Sequence, residues 1–119
     1  MKKLLALSVL IALVGCAEKK PLTAEEQWQG YCRSVGNAAR TIMLDRQNAI
    51  PKEKAVEHAD KIEDETTKKF IISIIDEVYA LPEATIRADV ECVREKVRSE
   101  FTAKCIASPH EKMPDNKPF

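Results

Sequence analysis

Phe70-Ile71-Ile72-Ser73-Ile74-Ile75-Asp76-Glu77-Val78-Tyr79 is the stretch that decides the fold. Its apolar residues at 70, 71, 74, 75, 78 and 79 recur in threes and fours, the spacing of one helix face. Ile72 widens that face, giving the most apolar helix in the chain. The run Glu63-Asp64-Glu65-Thr66-Thr67 opens it, with acids at the end the helix dipole favours. Leu81-Pro82 closes it, because the residue before proline avoids helical geometry. So apolar a face has to be buried against other helices, and the pattern predicts this as the central helix of a bundle.

The flanking sequence supplies the partners. Thr23-Ala24-Glu25-Glu26 reads as a capping box opening a first helix. Its stripe is Trp28, Cys32, Val35, Ala39, Ile42 and Met43, ending near Gln47-Asn48. Gly36 inside it costs about 1 kcal/mol against alanine, which close packing on another helix would explain. Ile50-Pro51 restarts a short second helix, with Pro51 suited to the first helical position and Ala55, Ala59 and Ile62 inward. After Pro82 a fourth helix is expected from Glu83 to Ile106, with Ile86, Val90, Val93, Val97 and Phe101 as its stripe. Few glycines after the leader (Gly30 and Gly36) and many Ala, Glu, Lys and Arg residues agree with an all-α body. The expectation is a small bundle of about four helices, two long and two shorter.

The start of the chain is built differently. Lys2-Lys3 forms a positive n-region, and Leu4 to Ala17 is apolar or small throughout. As a helix this segment spans about 21 Å, short of a hydrocarbon core of about 30 Å. It ends in Leu13-Val14-Gly15-Cys16. This resembles a bacterial lipoprotein signal peptide ending in a lipobox. The resemblance implies a cleavage region at Leu13, Val14 and Gly15 and cutting before Cys16. It also implies a diacylglyceryl group on the Cys16 sulfur and an acyl group on its amine. These lipids and the bilayer they enter are the only non-protein partners expected. The chain then divides into a signal peptide (1–15), a lipidated tether (16–22), a helical domain (23–107) and a disordered, proline-bearing tail (108–119).

Ala17, where enteric lipoproteins held in the inner membrane carry aspartate, points to the periplasmic face of the outer membrane. The alternatives are the inner membrane, or ordinary cleavage after Ala17 giving a soluble periplasmic protein. The whole chain has 19 basic and 19 acidic residues, and losing Lys2 and Lys3 leaves 17 against 19. Without a basic excess, no nucleic-acid partner is expected.

Export would put Cys32, Cys92 and Cys105 in an oxidising compartment. Three thiols allow one internal bridge. Cys92 and Cys105 lie about 20 Å apart along one helix, too far to join. At 100° per residue Val90, Val93 and Val97 cluster within about 60°; Cys105 falls at the flank of that stripe, and Cys92 about 140° from its centre. Cys32 lies inside its own stripe. The phase therefore predicts a Cys32–Cys105 disulfide and a free thiol at Cys92.

No catalytic pattern accompanies these features. His58 lies among charges near Glu57 and Asp60, and His110 lies in the tail. His58, Asp60, Glu63 and Asp64 lack zinc-ligand spacing, and no nucleophile elbow, phosphate loop or dinucleotide fingerprint is present. Neither a metal nor a cofactor is expected. Arg33, Asn37 and Arg40 form a polar stripe on the first helix that could meet an acidic partner or lipid headgroups, but reads best as a solvated face.

Tyr31-Cys32 through Ala38-Ala39, Ile42-Met43, Arg46-Gln47 and Glu100-Phe101 with Cys105 resemble a group of small exported bacterial proteins without assigned activity, often encoded near mobile elements. That resemblance implies a helical body with cysteines near both ends. The expected function is non-enzymatic: an envelope lipoprotein acting by contact with another envelope protein. The alternative is a periplasmic holdase, a stress-protective protein that exposes the isoleucine-rich helix when loosened.

Overall fold

The computed structural model describes residues 21–110. The expectations for the leader, for Leu13, Val14, Gly15 and Cys16, and for the tail beyond His110 lie outside the described residues. Among the described residues five helices follow one another: α1 (Ala24–Gln47), α2 (Lys52–Asp60), α3 (Glu65–Ala80), α4 (Glu83–Ala88) and α5 (Val90–Ala107). Among the described residues there is no strand, and the all-α bundle expected from the sequence is what forms.

Local chemistry sets the boundaries. Thr23 caps α1: its side chain accepts from the Glu26 N–H at 3.1 Å, while Glu26 Oε1 accepts from the Thr23 N–H at 3.1 Å. These two bonds satisfy orphan donors of the first turn; hydrogen bonding by the Thr23 backbone N–H, and then by its side chain, holds the Glu26 carboxyl below its usual value. Asp64 caps α3 by accepting from the Thr67 N–H at 2.8 Å. Pro51 stands just before α2 as its cap residue rather than inside it.

The end of α1 uses a device the sequence does not advertise. The Ile50 N–H donates to the Asp45 carbonyl and the Ala49 N–H to the Arg46 carbonyl. This is the double bond pattern of a Schellman motif. It requires a left-handed residue, and Ala49 takes that role with φ 62°. Alanine pays a steric cost there that glycine would not.

One expectation needs correction. The fourth helix is not continuous from Glu83 to Ile106; it breaks at Asp89, which has φ −150° and ψ 94°. The Asp89 side chain accepts from the Cys92 N–H at 3.1 Å and so starts a new helix. The break turns the stripe: Ile86 is fully buried in α4, whereas Val90, the first residue of α5, is 36% exposed.

A second correction concerns the hub. The isoleucine-rich α3 does bury Ile71, Ile74, Ile75 and Val78, each worth about 1.5–3 kcal/mol when fully removed from water. Yet the helix that packs against α3, α4 and α5 alike is α1. Length decides this. At about 1.5 Å per residue, 24 residues make α1 about 36 Å long, enough to carry all three. Its whole predicted stripe, Trp28 through Met43, is buried.

The α1–α5 pair runs antiparallel. Trp28 meets Ile106, Cys32 meets Cys105, Arg40 meets Glu95 and Gln47 meets Val90. Gly36 marks the closest approach. A Cβ there would run into the Thr102 hydroxyl and lie 2.7 Å from the Arg98 carbonyl oxygen. The Thr102 hydroxyl itself donates to that carbonyl at 2.7 Å, so it cannot easily move aside. The glycine is the price of that approach.

Candidate functional site

Two places along the α1–α5 seam gather the residues with chemical interest. The first is the end where α1 begins and α5 finishes. Cys32 and Cys105 form a disulfide with Cα atoms 5.4 Å apart, across 73 positions of sequence. Both are fully buried. The structure thus brings together the pair that helix phase predicts. Cys92 is free and exposed, as the same argument requires.

An aromatic cluster covers the bridge region. Trp28 stacks on Tyr31 with centroids 5.3 Å apart, and Phe70 meets Trp28 at 6.5 Å and Tyr31 edge-on at 6.2 Å. Trp28 Nε1 donates to the Ile106 carbonyl at 3.4 Å. The Tyr31 and Thr67 hydroxyls are 2.7 Å apart, and the Thr67 hydroxyl donates to Asp64 at 2.8 Å. Burial pushes the Tyr31 phenol up, against the effect of its bond to Thr67. His110 was expected in a structureless tail. Instead its ring stacks on Trp28 at 3.9 Å, with Nδ1 3.1 Å from the Ser108 carbonyl.

The second place is the far end of the seam, where α1 meets the α4–α5 break. Gln47 is only 5% exposed. Its Nε2 donates to the carbonyls of Ile86 and Val90, each at 3.1 Å. The Ile86 carbonyl would be satisfied by α-helical bonding if α4 ran on, so Gln47 replaces what the break removes. Beside it Arg46 donates to the Leu81 carbonyl at 2.9 Å and lies 5.5 Å over the Tyr79 ring. The Tyr79 hydroxyl donates to the Ile50 carbonyl at 2.7 Å. Gln47 Oε1 and Arg46 Nε are buried without a hydrogen-bond partner among the described residues. Burial also raises the Asp45 carboxyl, with the electrostatic effect of nearby His58 opposing.

Between these ends runs a charged ladder. Arg40 donates to Glu95 at 2.9 Å and to Glu91 at 2.7 Å, and Arg98 donates to Glu95 at 2.8 Å. The bonds from Arg98 and Arg40 hold the Glu95 carboxyl below its ordinary value. A depressed carboxylate contributes stability above its unfolded value and loses it as pH falls through the folded one. The ladder therefore weakens only in acid. Within the stripe predicted on α1, Arg33 and Asn37 are exposed, but Arg40 is spent inside the molecule.

His58, Asp60, Glu63 and Asp64 do not converge: no group able to hold a metal ion is found among the described residues. No described helix is long and apolar enough to cross a membrane. No known family model, curated protein or solved structure matches this chain. Chemistry and geometry alone carry the functional reading.

Sequence reasoning missed Gln47 and His110. Gln47 looks like a polar residue ending an apolar stripe, and its value depends on a break it does not itself encode. Asp89 did carry a signal: aspartate followed by Glu91 in a first turn is a helix start, hidden by the apolar Ile86 and Val90 that share one phase on either side of it.

Proposed function

We propose that this protein is a membrane-anchored envelope lipoprotein that works by contact with another envelope protein, without catalysis. The observation that carries the reading is the buried Cys32–Cys105 bridge. Such a bond persists in exported proteins and is rare in reducing compartments. It supports the export route read from Lys2-Lys3 and the apolar leader. The lipobox-like Leu13-Val14-Gly15-Cys16 then supplies the anchor.

The mode of action follows from how the body is closed. The bridge, the Gly36 approach and the Gln47 amide bind α1 to the last two helices at three levels. A body held this way offers a fixed surface rather than a deforming one. That favours recognition over client capture, which needs buried apolar faces such as that of α3 to open.

Two measurements test this. Intact-mass analysis of protein from bacterial membranes should show a chain beginning at Cys16 with two or three acyl chains. A chain beginning at Glu18 without lipid would overturn the anchor. In-cell crosslinking with mass spectrometry should then recover one reproducible envelope protein on the same surface residues. A broad set of unfolded clients, captured only under stress, would replace this reading with the holdase.

A further inference from the structure

Among the described residues four large apolar side chains are exposed, two at each end of the seam. Leu22 (60%) and Ile106 (39%) lie at the end where α1 begins; Ile50 (40%) and Val90 (36%) lie at the other. Leu22 immediately precedes the Thr23 cap, and its carbonyl accepts from Gln27 Nε2 at 3.4 Å. Ile106 is held at the same end of the seam by Trp28, whose indole N–H bonds the Ile106 carbonyl.

We propose that the body stands on the lipid bilayer by this end, with Leu22 and Ile106 against the headgroup region and the α4–α5 break turned outward. The proposal rests on the lipid anchor at Cys16. Leu22 lies six positions after Cys16. At no more than about 3.5 Å each, they hold Leu22 within about 20 Å of the surface. Ile50 lies a full α1 length away, about 36 Å at 1.5 Å per residue. Of the two apolar ends, only the first is kept at the membrane by the chain itself, where a tether converts weak affinity into stable contact.

Charge favours the same occupant. Lys19 and Lys20 lie between the anchor and Leu22, and basic residues beside a lipid anchor are drawn to anionic headgroups. Rigidity completes the argument. Ile106 follows the bridged Cys105 and is bonded by the Trp28 indole of the aromatic cluster, and Leu22 is bonded through its carbonyl by Gln27 of α1. Each therefore meets a surface from an ordered helix end. A consequence is that the exposed Cys92, Val90 and Ile50 face away from the bilayer, where an envelope partner would approach.

The test uses the full-length precursor made in bacteria, purified with its lipid and checked by intact mass, in a Cys92→Ser background. An environment-sensitive fluorophore is placed at Ala107→Cys beside Ile106, or at Ile50→Cys. Each protein is reconstituted in phosphatidylethanolamine–phosphatidylglycerol vesicles with and without a headgroup nitroxide lipid. The label at 107 should shift to the blue and lose most of its emission to the nitroxide, while the label at 50 should do neither. Leu22→Ser with Ile106→Ser, both exposed positions, should abolish the response at 107 while the lipid mass stays unchanged. Equal quenching at both labels, or none at either in protein that carries lipid, overturns the upright orientation and leaves the anchor standing. A response at 107 that disappears as protein is diluted over lipid means that a second copy covers this end instead, and also overturns it. Protein whose mass shows no lipid overturns the anchor and this inference together.

Discussion

Where α1 begins and α5 finishes, the two helices are joined by a covalent bond set in an aromatic cluster; at the far end, the same helix is joined to α4 and α5 by one glutamine amide. The first closure buries Cys32, Cys105 and Trp28 and needs nothing from solvent. The second buries Gln47 but leaves its Oε1, and Arg46 Nε next to it, without partners among the described residues. A bundle can thus be locked at one end by chain connectivity and at the other by a few directional bonds. The two locks should fail in different ways.

Removing the bridge should have the largest effect. Closing a loop across 73 positions is worth about 4 kcal/mol in the chain-entropy treatment. Cys32→Ser with Cys105→Ser should lower the urea midpoint accordingly; an unchanged midpoint would mean that packing alone closes this end. Gly36→Ala tests the next level of the seam. Alanine is the better helix former by about 1 kcal/mol, but overpacking against Thr102 and the Arg98 carbonyl costs about 1–3 kcal/mol. Net destabilisation by thermal melting is expected, and a stabilised variant would show that α5 can back away.

The far-end lock is broken by Gln47→Leu, which keeps the bulk but deprives the Ile86 carbonyl of its donor. Leaving it unsatisfied should cost about 1–3 kcal/mol. Hydrogen exchange should report the loss locally, with α4 amides opening before those around Cys32. Uniform loss of protection would mean that the two ends are a single cooperative lock. Ala49→Gly sharpens the same end in the opposite direction. It relieves the left-handed backbone and should stabilise by up to about 1 kcal/mol, seen as a higher melting temperature. The smallest effect is reserved for Cys92→Ser, which should stay within about ±0.5 kcal/mol. In the wild type Cys92 should label with a thiol reagent in the folded state; protection would place it in contacts the exposed position does not show.

The same contrast explains what could be read in advance. The disulfide lock is made of apolar periodicity and cysteines, and both leave a phase in the sequence: Trp28, Cys32 and Val35 share a stripe, and Cys105 flanks another. The capping box at Thr23 and Glu26 is a local pattern with a local consequence. Gly36 could be flagged as a close approach before its partner was known. The far-end lock left no such trace. Val90 and Val93 continue the phase of Val97, so periodicity runs through the break that Asp89 makes. The burial of Gln47 depends on that break, and the left-handed turn falls on an alanine where glycine is the usual sign. The prominence of α3 in the sequence misled for a related reason: hydropathy measures how much a helix must bury, whereas the hub is set by how many neighbours its length can reach.

The bond between residues 32 and 105 closes the chain between them into a covalent ring. Asn48, Ala49 and Ile50 form an exposed turn on that ring, the place where a protease would find it most easily. A single cut there would not separate the protein into parts. The fragment bearing Cys32 and the fragment bearing Cys105 would remain tied through sulfur until a reductant released them.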